Sequence, residues 1–124
     1  MPITTDIDHA KELFLIRTPG GCRCEELEAV LRAFYADEPT RRILADFSGE
    51  GNVWTTDEVR QLVVFLASIR DSIPDHSRVA AVCSRVADYG LARMAQTLSE
   101  MKIPWTMAVF WNREEALDWL LQEA

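Results

Sequence analysis

Arg78-Val79-Ala80-Ala81-Val82-Cys83-Ser84, followed at once by Tyr89-Gly90-Leu91-Ala92-Arg93-Met94, is the stretch that decides how this chain folds. The first part is a short, nearly continuous apolar run of the length of a buried strand. The second opens a helix. Leu91, Met94, Ala95, Leu98 and Met101 recur at intervals of three and four, which makes one apolar stripe, and Pro104 closes the segment. A buried strand running straight into an amphipathic helix is half of a β-α-β unit.

The same alternation extends in both directions. Upstream, Leu13-Phe14-Leu15-Ile16 marks a buried strand between Lys11 and Thr18, bounded by Pro19-Gly20-Gly21. Ile3 to His9 is expected to pair with it as an antiparallel edge strand, with the turn near Asp8 to Ala10. Leu27, Val30, Leu31 and Phe34 stripe a helix from about Cys22 to Asp37, and Pro39 stops it. Arg42 to Phe47 reads as the next strand. Thr55 and Glu58 form a capping box, in which each side chain satisfies an orphaned backbone donor. The helix they open runs to just before Pro74, with Val59, Leu62, Val63, Leu66 and Ile73 inward. Downstream, Trp105 to Trp111 is the last strand, and Ala116, Trp119 and Leu120 dock a final helix from about Arg113 to Gln122. The pattern predicts one α/β domain over residues 1–124, with a mostly parallel, mixed sheet of four to five strands and four helices.

Composition limits the function classes. The chain has 124 residues, 48% of them apolar and 27% charged, which suits one domain with a real core. A net charge of −7 would repel nucleic acid and anionic membrane surfaces overall. The apolar runs are far short of a membrane span, and no basic-then-apolar leader is visible, so the expected location is the cytoplasm. Three cysteines is an odd number and calls for no disulfide framework.

The segments quoted first, together with Ala108-Val109-Phe110 running into Glu114-Glu115-Ala116-Leu117-Asp118-Trp119-Leu120, resemble the SpoIIAA-like family. That family is grouped with the STAS domains of sulfate transporters and anti-sigma-factor antagonists. The resemblance implies a STAS-like fold and a non-catalytic regulatory or protein-interaction module. A truncated flavodoxin-like sheet is the rival architecture, and an antiparallel strand from Ile3 to His9 would favour the STAS-like one. In the anti-sigma-factor antagonists the equivalent strand-to-helix junction carries Asp-Ser-Ser-Gly, whose serine is a kinase target. Here Asp46-Phe47-Ser48-Gly49 is similar at the strand end, but Val53-Trp54-Thr55-Thr56-Asp57 precedes the helix and the phosphorylatable motif is missing. Thr55 and Thr56 are the hydroxyls left at that helix start, where added phosphate would act through its charge.

Parallel strands deliver their following loops to one end of the sheet, where open α/β sheets bind ligands. Ser48 to Thr56, Ser84 to Tyr89, and Trp111 to Arg113 should therefore converge. This makes Ser48, Trp54, Thr55, Thr56, Ser84, Arg85, Tyr89, Arg93 and Trp111 the candidate ligand-binding residues, with Trp54, Tyr89 and Trp111 as aromatic walls and Arg93 as a charge. The second functional expectation follows: a small-molecule binding protein for a lipid-like or anionic ligand. Tyr89 and Arg93, four apart, are expected to point away from the core together. Val64, facing outward, and Phe65, at the flank, are candidate interface residues for a homodimer or a protein partner.

Other chemistry finds little footing. Gly49 and Gly51 match only the first interval of a dinucleotide-binding fingerprint, and no phosphate-loop lysine follows. Cys22, Cys24, Cys83, His9 and His76 meet no metal-site spacing, so no metal and no cofactor are expected. Ser48 and Ser84 are hydroxyls at the ligand end, with Asp46 as the one base nearby. His9 and His76 precede strands and so belong at the other end, and the chain is not expected to be an enzyme.

Overall fold

The computed structural model describes residues 3–18, 20, 22–49 and 54–122. They form five strands and four helices in the order β1 (Thr4–Asp8), β2 (Leu13–Arg17), α1 (Cys24–Ala36), β3 (Arg42–Asp46), α2 (Thr56–Ser68), β4 (Ser77–Val82), α3 (Val86–Ser99), β5 (Trp105–Phe110) and α4 (Arg113–Leu121). A short 3-10 turn at Arg70–Ser72 follows α2. The strands lie in the sheet in sequence order. β1 is antiparallel to β2, with Asp6 opposite Leu15, and the remaining pairings are all parallel. The α/β class, the mixed sheet and the four helices are as the sequence predicts, including the antiparallel edge strand. The turn at Pro19 and Gly21 lies outside the described residues.

Because each new strand is added on the same side, right-handed crossovers put every connecting helix on one face. Leu27, Leu31 and Phe34 of α1 and Val63 and Leu66 of α2 bury against Phe14, Ile16, Ile43, Ala45 and Val79, with Ala95 and Leu98 of α3 beside them. The alternate residues Leu13, Leu44, Ala80 and Val82 point to the other face, where only α4 covers them through Ala116 and Leu120. β1 stays exposed, and Asp6 and Asp8 on it discourage edge-to-edge pairing.

α3 departs from the expected stripe. Its buried residues are Ala92 and Ser99, Met94 is only partly covered, and Met101 lies beyond the helix end at 99% exposure with a left-handed φ of 68°. The face turned to the sheet is Asp88, Ala92, Ala95 and Ser99, spaced four, three and four. Small side chains let the helix approach the sheet closely, and a reading weighted toward large apolar residues passes them over. Tyr89 is correspondingly not turned away from the core, because it packs beside Ala81, Cys83 and Ala92. Arg93 is exposed as expected.

Since one nine-residue helix covers the middle of this sheet face, Leu120 should be its most sensitive position: it is fully buried there. Leu120→Ala should cost about 2–5 kcal/mol, read as a lower urea midpoint with unchanged slope.

Candidate functional site

The C-terminal ends of the parallel strands are stitched together by bonds that continue past the ladders. Thr18 N donates to Asp46 O (3.1 Å), Phe47 N to Val82 O (2.7 Å) and Cys83 N to Phe110 O (2.9 Å). The Ser84 hydroxyl donates to Ser48 O at 3.1 Å, which joins the loops after β3 and β4 directly. The three loops thus converge on one rim, as parallel pairing requires. Residues 50–53, and with them the Gly49–Gly51 interval, lie outside the described residues.

Asp46 organises this rim from a buried position. One carboxylate oxygen accepts the Ser48 amide at 2.9 Å and the Ser48 hydroxyl. The other faces Arg17 Nε at 3.9 Å and Arg113 at 3.6 Å. Asp46 therefore ties β2, β3 and α4 together, and its hydrogen bond to its own loop is the ordinary Asx arrangement.

The other candidates fall in separate places. The Thr55 hydroxyl accepts from Glu58 N at 3.1 Å while Glu58 returns to Thr55 N at 2.9 Å, so the capping box forms as read. Thr56 is exposed on the first turn. Arg85 precedes α3 and pairs with Asp88 at 3.8 Å. Tyr89 stacks on Trp111, with centroids 4.2 Å apart and planes within 1°. This joins the start of α3 to the end of β5. Trp54 is elsewhere: its indole N–H donates to Cys22 O at 2.8 Å and its ring meets Phe47 edge-on. The expected common aromatic wall is thus two separate aromatic pairs.

An apolar cavity of about 90 Å³ lies between the sheet and helices α1 to α3. Ala45, Phe47, Ala81, Ala92 and Ala95 are among its walls, and of the nine candidate residues only Trp54 borders it. Among the described residues Asp88 is its one charged wall residue. The Asp88 side chain is 10% exposed, and its Oδ2 has no hydrogen-bond donor. Trp105, a wall residue at the far end of β5, buries its indole N–H without an acceptor. The sequence signal for Asp88 was present, four residues before Ala92 on the inner face of α3, but only the small-residue face reveals it.

Val64 is 69% exposed on the outer side of α2. Phe65 is not free beside it, because Arg32 of α1 lies over its ring at 4.2 Å. Among the described residues no group of three or more His, Cys, Asp or Glu is placed to hold a metal ion, and no helix is long and apolar enough to cross a membrane. No known protein family, curated protein or solved structure matches this chain.

All three thiols are buried. Burial, aided by Glu26, pushes Cys22 up from 9.0 to about 11. Burial, then Glu58 and other carboxylates, takes Cys24 to about 12, and burial with Asp88 and Asp46 does the same for Cys83. A thiol raised on folding stabilises the native state below its unfolded value and loses that contribution as pH rises toward the folded one. The urea midpoint should therefore decline from about pH 9 upward, and less steeply in a Cys24→Ala/Cys83→Ala double variant, measured by circular dichroism.

Proposed function

We propose that this chain is a non-catalytic binding protein of STAS-like architecture, whose ligand is a small apolar molecule carrying one hydrogen-bond-donating or cationic group. The observation that carries the reading is an Asp88 oxygen in the wall of an otherwise apolar cavity, which faces Arg85 Nε at 3.8 Å but accepts no hydrogen bond. A buried carboxylate oxygen without a donor is costly, because desolvation is uncompensated. It sits in the first turn of α3, where the helix dipole favours negative charge, and Arg85 lies on its outer side. Neither donates a hydrogen bond to that oxygen.

The void has its own cost. An apolar cavity of 90 Å³ forfeits about 2 kcal/mol of packing at the usual volume coefficient. A ligand the size of a benzene ring or a short alkyl chain would restore those contacts, as small apolar guests do in similar voids. The polarity of the wall decides the headgroup. The lipid-like part of the ligand suits the cavity, but its charged partner is a carboxylate, so an amine or hydroxyl suits it and a carboxylic acid does not. The Trp105 indole N–H would donate to a hydrogen-bond acceptor on the ligand at the other end.

The non-catalytic part of the reading is supported by the engagement of the rim hydroxyls. The Ser48 hydroxyl donates a hydrogen bond to Asp46, and that carboxylate is already shared with Arg17 and Arg113. The interaction-module reading rests on Val64, where a second copy or a protein partner would dock in the cytoplasm. One isolated apolar side chain is a thin basis for a surface, however, once Phe65 is covered.

Titration with benzylamine, toluene and benzoate tests the assignment, followed through backbone amide shifts. Benzylamine and toluene should shift the amides of Ala92, Ala95 and Ala81, and benzoate should not. Asp88→Asn should weaken benzylamine about tenfold, equivalent to about 1.4 kcal/mol, while leaving toluene unchanged. Ala95→Phe, which fills the space, should abolish both. Shifts absent from the cavity residues in the wild type would refute the reading.

A further inference from the structure

A second cavity, of about 230 Å³, opens on the opposite face of the sheet, at the N-terminal ends of the strands. Arg41, Arg42, His76, Arg78 and Thr106 line it, with Leu120 and Gln122 of the α4 end beside them. Three guanidiniums and an imidazole around one hollow is an unusual concentration in a chain of net charge −7. Arg42 and Arg78 are direct cross-strand neighbours in the parallel register, and Thr106 is the next residue in the same row. Like charges placed side by side on one sheet face repel.

Arg42 is 8% exposed, yet among the described residues neither it nor Arg78 pairs with a carboxylate. Arg42 donates to Lys11 O at 2.6 Å. Arg78 donates to Trp119 O at 2.9 Å and Gln122 O at 3.3 Å, and lies over the Trp119 ring. Each guanidinium has five N–H donors, so these carbonyl bonds leave most of the fork unused. They also fix the two side chains in place without neutralising them. Arg41 is different, since Glu12 at 3.0 Å already balances it. His76 reaches the hollow from a left-handed backbone (φ 61°) at the turn into β4.

We infer that this hollow is a binding site for a phosphate group, held by Arg42 and Arg78 with Thr106 and His76 at its edge. The planar fork of arginine matches oxyanions through paired N–H bonds. Two forks and a hydroxyl offer more donors than the two oxygens of a carboxylate can use, and a phosphate supplies the additional acceptors. The negative end of α4 lies close by, but Arg78 caps its last carbonyls and shields an anion from them. This site stands apart from the apolar cavity, on the other face of the sheet, so either assignment can fail alone.

The experiment is a titration with inorganic phosphate, followed through the arginine side-chain Nε–Hε resonances, at constant ionic strength maintained with sodium chloride. The Arg42 and Arg78 signals should shift saturably. Acetate over the same range should bind about tenfold more weakly or worse, since it fills fewer of the donors. Arg78→Gln also releases the end of α4, so Thr106→Glu is the deciding variant. It places a carboxylate in the hollow and removes neither arginine nor any of the carbonyls that hold them. With its circular dichroism unchanged, it should lose phosphate binding by at least about tenfold. The proposal is overturned if the shifts do not saturate, if chloride alone reproduces them, if acetate binds equally well, or if Thr106→Glu binds phosphate like the wild type.

Discussion

The arrangement depends on close approach at β4. Ala80, Ala81 and Cys83 are fully buried, Ala80 facing α4 and the other two facing α3. Their counterparts are Ala116 on α4 and Ala92 on α3, so both faces of this strand meet a helix through small side chains. Packing of that kind leaves little room for larger groups, because interiors are dense and resist added volume. It also explains how α4, one short helix, is enough to cover its face. Seated so closely, it spans β3, β4 and β5 and carries Arg113 to Asp46 at one end and its last carbonyls to Arg78 at the other.

The same small residues account for the void on the other face. Ala45, Ala81, Ala92 and Ala95 line the cavity, between larger residues contributed by α1 and α2. Close approach at one point of α3 and a gap beside it are two results of one composition, since alanines hold the helix near the sheet without filling the space alongside. Asp88 belongs to this geometry. It occupies the first position of the alanine face, and the helix that buries Ala92 and Ser99 must bring Asp88 inward too.

Much of this was legible in the sequence, and the boundary has physical reasons. Strands β2 to β5 and helices α1, α2 and α4 announce themselves because large apolar residues carry their periodicity, and Thr55 with Glu58 marks a helix start by local chemistry alone. Convergence of the strand-end loops follows from parallel pairing, which the alternation of elements already implies. What escaped depends on contacts between distant segments. Arg32 reaches over the ring of Phe65, an expected interface residue, and Tyr89 finding Trp111 separates an expected pocket into two aromatic pairs. On α3 the stripe of Leu and Met outweighs the quieter alanine face, which puts Met101 inside and leaves Asp88 without a signal of its own. Arg42 and Arg78, 36 positions apart by their numbering, become neighbours only through strand register.

Charge is distributed unevenly over the two faces, and this bears on what each can hold. The face covered by α1 to α3 encloses an apolar space with a single carboxylate in its wall. The face covered by α4 gathers unneutralised arginines at its N-terminal end, in a protein that is acidic overall. Each arrangement is costly on its own terms, one through an acceptor without a donor and the other through adjacent like charges. The costs are opposite in sign, yet the two groups cannot relieve each other, because the sheet lies between them and Asp88 and Arg78 sit toward opposite strand ends. A ligand's complementary group would relieve each of them, since Asp88 has only Arg85 at 3.8 Å and Arg78 only backbone carbonyls and the Trp119 ring among the described residues. That is the physical reason for reading both hollows as binding sites of different chemistry rather than as two imperfections of one core.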